Sequence, residues 1–119
     1  MGENMPRNIS FMLTVNQFKN RTKTVTRRLG WKFLKPGDIL MGCEKCQGIK
    51  KGESIKRLGK IRVVDVREEE LRKITPEDVI KEGFPEMNRW QFVSFFIDEM
   101  KPKLGVRQPV TRIEFEYVD

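Results

Sequence analysis

Residues 20–28 read NRTKTVTRR, and they crowd four cations, Arg21, Lys23, Arg27 and Arg28, among Asn20, Thr22, Thr24 and Thr26. Three roles suit such a cluster: a solvated edge strand, a grip on phosphate, or a threonine nucleophile. A threonine hydroxyl is a weak nucleophile until a base takes its proton. The chain has no histidine, which excludes Ser-His, Cys-His and His-metal mechanisms together. Lys23 is then the base at hand. It serves only when neutral, so burial and the cations Arg21, Arg27 and Arg28 must lower its pKa. Thr26 and Arg28, two apart, share a face if they lie on a strand. Lys23 is three from Thr26, and meets it only from the preceding turn or beside a bulge.

Two further groups of residues carry possible chemistry. Trp31 and Phe33 follow the cluster and could stack on a base, although aromatics beside a strand are more often core. Lys50, Lys51, Lys56, Arg57 and Lys60 form the densest basic stretch, and with the net charge of +7 they suit a polyanion such as RNA. A solvated loop is the plain alternative. The two cysteines, Cys43 and Cys46, make a single CEKC continuing a strand-like segment. That is not the setting of a redox motif, and no second pair completes a zinc shell. No metal or cofactor is expected, and both thiols are read as reduced.

The elements that must position these groups follow from periodicity. ISFML suits a strand, and TVNQFKNR a short helix capped by Thr14. KTVTRRL returns to strand. LKPGD is a turn preset by Pro36 and Gly37, leading into a strand through DILMGCE. QGIKKGESIKRLG reads as a long basic hairpin loop or a ragged strand pair. GKIRVVDVREEEL is β-rich, but its alternation slips at Val63 and Val64, which predicts a bulge or a strand covered on both sides. ITPEDVIKEG is a helix with Thr75 as cap, Pro76 at its first position and Gly83 as stop. NRWQFVSFFIDEM is a second helix, whose Trp90, Phe92, Phe95 and Phe96 are read as core. VTRIEFEYV alternates as a half-buried antiparallel strand.

These elements predict an α+β fold over residues 1–119 as one domain: a small, partly open β-barrel with flanking helices. No apolar run is long enough for a membrane span and the first residues carry no signal-like segment. A cytoplasmic, monomeric protein without membrane attachment is therefore expected.

KTVTRR, then LKPGD before a strand, then EGF between two helices resemble, in that order, the ASCH domain family of the PUA-like superfamily. The family's pattern is Gly, Lys two later, Thr three after that and Arg two beyond. Lys23, Thr26 and Arg28 match it, while Arg21 stands at the glycine position. Glu82 resembles the family's acidic position. The resemblance covers about residues 9 to 118 and implies a PUA-like barrel associated with RNA and modified nucleosides. Some members are amidohydrolases that deacetylate N4-acetylcytidine through the Lys, the Thr and a Glu; by that likeness Lys23, Thr26 and Glu82 would be catalytic. Glu82 would end a helix, where the negative end raises a carboxyl pKa as a general acid requires; a solvated helix-end residue is the competing reading. Arg21, Arg27, Arg28, Trp31, Lys50, Lys51, Lys56 and Arg57 would contact nucleoside or RNA. The alternatives are a non-catalytic RNA-binding module and, behind it, a ribonuclease.

Overall fold

The computed structural model describes residues 6–46 and 51–119. Its α+β architecture is a five-stranded curled sheet, a half-open barrel, with short helices packed against it. The strands are β1 (Arg7–Ser10), β2 (Val25–Arg28), β3 (Ile39–Cys43), β4 (Arg57–Glu70) and β5 (Pro109–Val118), ordered β1-β3-β4-β5-β2. Among the described residues only the β1–β3 pair is parallel. β1 and β2 are therefore the two free edges, and β4 with β5 form the long central antiparallel pair.

The slip at Val63 and Val64 is a β-bulge: the register of β4 against β5 shifts between Val63 and Asp65. Ile61 and Val63 are buried, Val64 turns outward, and Val66 returns to the face of the first two. One extra residue thus keeps a strand of 14 residues on its core while bending it. The LKPGD turn also forms as read, with Gly37 at φ +96° and Asp38 Oδ2 accepting from the Lys35 amide at 2.9 Å.

The helices are α1 (Val15–Lys19), α2 (Pro76–Lys81) and α3 (Arg89–Met100). Thr75 caps α2 by accepting from the Asp78 amide at 3.1 Å, and Gly83 ends it at φ +102°. α3 begins with a capping box between Asn88 and Gln91. Three expectations need correction. ISFML is strand only at Ile9 and Ser10, because the chain turns into a 3-10 helix at Met12. Thr14 makes no side-chain cap, because a 3-10 turn over Met12–Thr14 already leads into α1. Trp90 is not core: the buried stripe of α3 is Phe92, Val93 and Phe96, with Phe95 half-buried. Trp90 lies about 200° round the helix from Phe92 and is 52% exposed, with Arg89 over its ring.

Two apolar clusters result. One, inside the curl, contains Ile9, Phe11, Phe18, Leu40, Ile61, Val63, Ile113 and Phe115. The other joins α2 and α3 to the far end of the β4–β5 pair through Leu71, Ile74, Val79, Phe84, Phe92, Phe96 and Val110. The first depends on a gap in β3, because a Cβ at Gly42 would stand 2.6 Å from Phe18 Cζ and 3.2 Å from the Gly59 carbonyl oxygen. The Phe18 ring cannot retreat, since Phe11 and Tyr117 hold it at centroid distances of 4.7 and 5.1 Å. Gly42→Ala should therefore cost about 1–3 kcal/mol as overpacking, read from the midpoint of urea unfolding with the slope unchanged. An unshifted midpoint would contradict this packing.

Candidate functional site

The site is built where α2 docks on β2. Asp78 and Glu82 are four apart, one helical turn, so both carboxylates face the same way. The loop before β2 is tied to the end of α2 by the Thr24 amide on the Lys81 carbonyl at 2.8 Å. Gly83 permits this approach: a Cβ there would lie 2.7 Å from Gln17 Cγ, and Gln17 Nε2 donates to the Gly83 carbonyl at 3.2 Å. Lys23 consequently enters from the loop, ahead of the strand, and its ammonium donates to both the carbonyl and Oε1 of Glu82 at 2.8 and 2.7 Å. A cation at a helix C-terminus also complements the helix dipole.

Glu82 is shared. Its Oε2 accepts from Arg27 Nη1 at 3.1 Å, and Arg27 Nη2 donates to Asp78 Oδ2 and Glu69 Oε2, both at 2.6 Å. Arg112, the register partner of Arg27 on β5, clamps Asp78 through Nε at 2.6 Å and Nη2 at 3.1 Å. Lys23, Arg27, Asp78, Glu82 and Arg112 are all buried. On β2, Arg28 Nε donates to Thr26 Oγ1 at 3.0 Å, while its Nη2 crosses to the Ser10 carbonyl of β1 at 2.6 Å. Arg28 thereby ties the two free edges of the sheet, with its guanidinium 5.0 Å over the Phe11 ring.

Lys23, Thr26, Arg27, Arg28 and Glu82 line one cavity of about 150 Å³, whose remaining wall includes Phe11, Leu13, Phe84, Phe92, Phe96 and Met100. It lies where the two apolar clusters meet. Burial lowers the Lys23 pKa; the Glu82 carboxylate opposes this, and Arg28 and Arg27 add to it. Burial also pushes Arg28 down to about 10, again opposed by Glu82.

The other sequence candidates stand outside the cavity lining. Arg21 pairs with Asp119 at the surface and lies over Tyr117. Trp31 stacks on Phe33 at 5.6 Å and packs against the sheet cluster. Lys51, Lys56 and Arg57 are exposed, and Lys50 lies outside the described residues. Burial and the neighbouring Cys43 raise the Cys46 thiol to about 12, which leaves little thiolate.

Sequence reading missed Asp78, Arg112 and Glu69. The i, i+4 spacing of Asp78 and Glu82 was the available signal; the alternation of β5 instead placed Arg112 on a solvent face, which α2 covers. Burial alone would raise the Asp78 pKa, but hydrogen bonds from Arg112 and Arg27 hold it well below the usual carboxylate range. Its folded pKa is depressed, so its contribution is present above the unfolded value of about 4 and is lost as pH falls below that. Asp78→Asn should cost about 3–5 kcal/mol at pH 7 and flatten the loss of stability below about pH 4, both read from denaturant unfolding across pH. An unchanged acid limb would show that Asp78 is not the buried anchor.

No family model matches the sequence, and no curated protein matches it. Among solved structures, the chain is similar to the crystal structure of protein EF3133 from Enterococcus faecalis V583, family-model DUF984. That match has a TM-score of 0.66 and 16% identity over 100% of this chain and 84% of that one. The chain is also similar to the crystal structure of hypothetical protein PH0355, with a TM-score of 0.58 and 22% identity over 96% of this chain and 100% of that one. Among the described residues no helix is long and apolar enough to cross a membrane. What these neighbours share with the chain is the fold, a small half-barrel.

Proposed function

We propose that the chain is an ASCH-type, PUA-like domain that holds an N-acylated pyrimidine nucleoside, of the N4-acetylcytidine kind, and hydrolyses its exocyclic amide. The observation that carries this reading is convergence: Lys23, Thr26, Arg28 and Glu82 line one cavity. Its volume of about 150 Å³ is that of cavities that accept a single six-membered ring, so the sugar would remain outside. The residue at the family's glycine position adds support. Arg21 has φ +60°, a conformation that favours glycine and that an arginine adopts at a cost of roughly 1–2 kcal/mol.

In this scheme Thr26 Oγ attacks the acyl carbon while its proton passes to a neutral Lys23. Arg28, already donating to Oγ1 at 3.0 Å, stabilises the developing oxyanion. The Lys23–Glu82 contact at 2.7 Å then relays the proton to Glu82, which gives it to the leaving nitrogen as the C–N bond breaks. Water attacks the threonyl ester with Lys23 taking its proton, and the acid leaves as Thr26 regains its hydrogen. Water and amide are consumed; amine and carboxylic acid are produced. Lys23 Nζ is held by Glu82 and Thr26 Oγ1 by Arg28, so the scheme requires the Lys23–Thr26 contact to form with substrate in place.

An RNA-binding module is the second reading, favoured by the exposed cations Lys51, Lys56, Arg57 and Lys60 and the net charge of +7. Phosphate-driven affinity for RNA would fall steeply with log salt, and cytidine release would be absent.

The test is release of cytidine from N4-acetylcytidine. Thr26→Ala and Lys23→Ala should each remove nearly all turnover, with the double variant little worse, because nucleophile and base act as a unit. Glu82→Gln should slow the reaction while keeping nucleoside binding. The wild-type rate should rise with pH through a pKa below the ordinary lysine value of 10.5, since only neutral Lys23 takes the proton. Equal turnover by wild type and variants, or none by wild type, would remove the hydrolase reading.

A further inference from the structure

Arg28, itself part-buried, differs from the buried cations beside it. Lys23, Arg27 and Arg112 each meet a carboxylate within 2.7 Å. The partners of Arg28 are neutral: the Thr26 hydroxyl, the Ser10 carbonyl and the Phe11 ring face. Glu82 cannot serve it, because Oε1 is taken by Lys23 and Oε2 by Arg27. Among the described residues no carboxylate forms an ion pair with Arg28. The cavity also takes in Arg27, whose buried Nε has no hydrogen-bond partner. The lining therefore presents a part-buried cation with no carboxylate in direct contact, eased only through space by Glu82, an arrangement that an anion seated beside it would stabilise.

The rest of the lining limits what that anion can be. Phe84, Phe92, Phe96, Leu13 and Met100 belong to it, and the volume is about 150 Å³. A phosphate would bring two charges to one cation and would set polar oxygens against phenylalanine. A carboxylate brings one charge in the planar geometry an arginine fork prefers, and its alkyl part suits the apolar lining. We propose that the cavity binds short-chain monocarboxylates, with the carboxylate on Arg28 and the alkyl group against the phenylalanines. This site does not require hydrolysis. If the chain is the amidohydrolase described above, the acid occupying it is the second product, and it competes with substrate.

The experiment is titration of the wild-type protein with sodium acetate, sodium butyrate, acetamide and sodium phosphate. It is followed by ¹H–¹⁵N NMR, including arginine Nε–H resonances, at constant ionic strength. Butyrate should saturate and bind more tightly than acetate, and acetamide at least about tenfold more weakly than acetate, the worth of one charge-assisted hydrogen bond. The Thr26 amide and the Arg28 Nε–H should move. Arg28→Gln should weaken butyrate by about tenfold or more. Arg28 also ties two strands, so the wild-type acetate–acetamide comparison and the Arg28 resonance decide the matter should that variant fail to fold. Equal binding of acetate and acetamide, tighter phosphate, or an unmoved Arg28 resonance would overturn the proposal. Cytidine release is assayed separately in carboxylate-free buffer. Turnover without butyrate binding sinks only the carboxylate site, and butyrate binding without turnover sinks only the hydrolase.

Discussion

The Glu82 carboxylate, divided between Lys23 and Arg27, is the interaction on which the rest of the site depends. It joins the end of α2 to the loop before β2 and to the strand itself, 59 and 55 residues earlier in the chain. Through Arg27 the connection continues to Asp78, Glu69 and Arg112, and so to both strands of the central pair. A buried ion pair is seldom a large net source of stability, because desolvation offsets much of the attraction. What such a network does secure is uniqueness: sliding α2 by one residue would leave several charges buried without partners.

The cavity is a consequence of how the half-barrel is closed. A five-stranded curl has two free edges, and among the described residues no sixth strand joins them. Arg28 spans the gap by one hydrogen bond to β1, and the apolar helices cover the end. The space left between the sheet cluster and the helix cluster is lined by both apolar side chains and cations. A site of this kind binds molecules that are themselves divided, with a polar acyl or carboxyl end and an apolar body. Thr26 lies at the boundary and is oriented by the same guanidinium that closes the seam.

Features set by local chemistry were legible in the sequence. Thr75, Pro76 and Gly83 bracket α2, the slipped alternation at Val63 and Val64 marks a bulge, and Lys23 leads its strand from a loop. Features set by tertiary cover were not. Arg112 sits in an alternating strand among Glu114 and Glu116, and only the docking of α2 turns its end of that face inward. Asp78 reads locally as an acidic residue in a first helical turn, which is sufficient reason for it to be there without any buried partner. Trp90 misled in the opposite direction, since helical spacing alone does not say which stripe of an aromatic-rich helix is covered.

The central claim is that Lys23 and Asp78, which share no direct contact, belong to one electrostatic unit through Glu82 and Arg27. A double-mutant cycle of Lys23→Met and Asp78→Asn, measured by urea unfolding, tests it. Removing Asp78 leaves the cluster with surplus positive charge, which removing Lys23 relieves. The double variant should therefore be more stable than the sum of the single costs predicts, by about 1 kcal/mol or more. Costs that add to within about 0.5 kcal/mol would contradict the account.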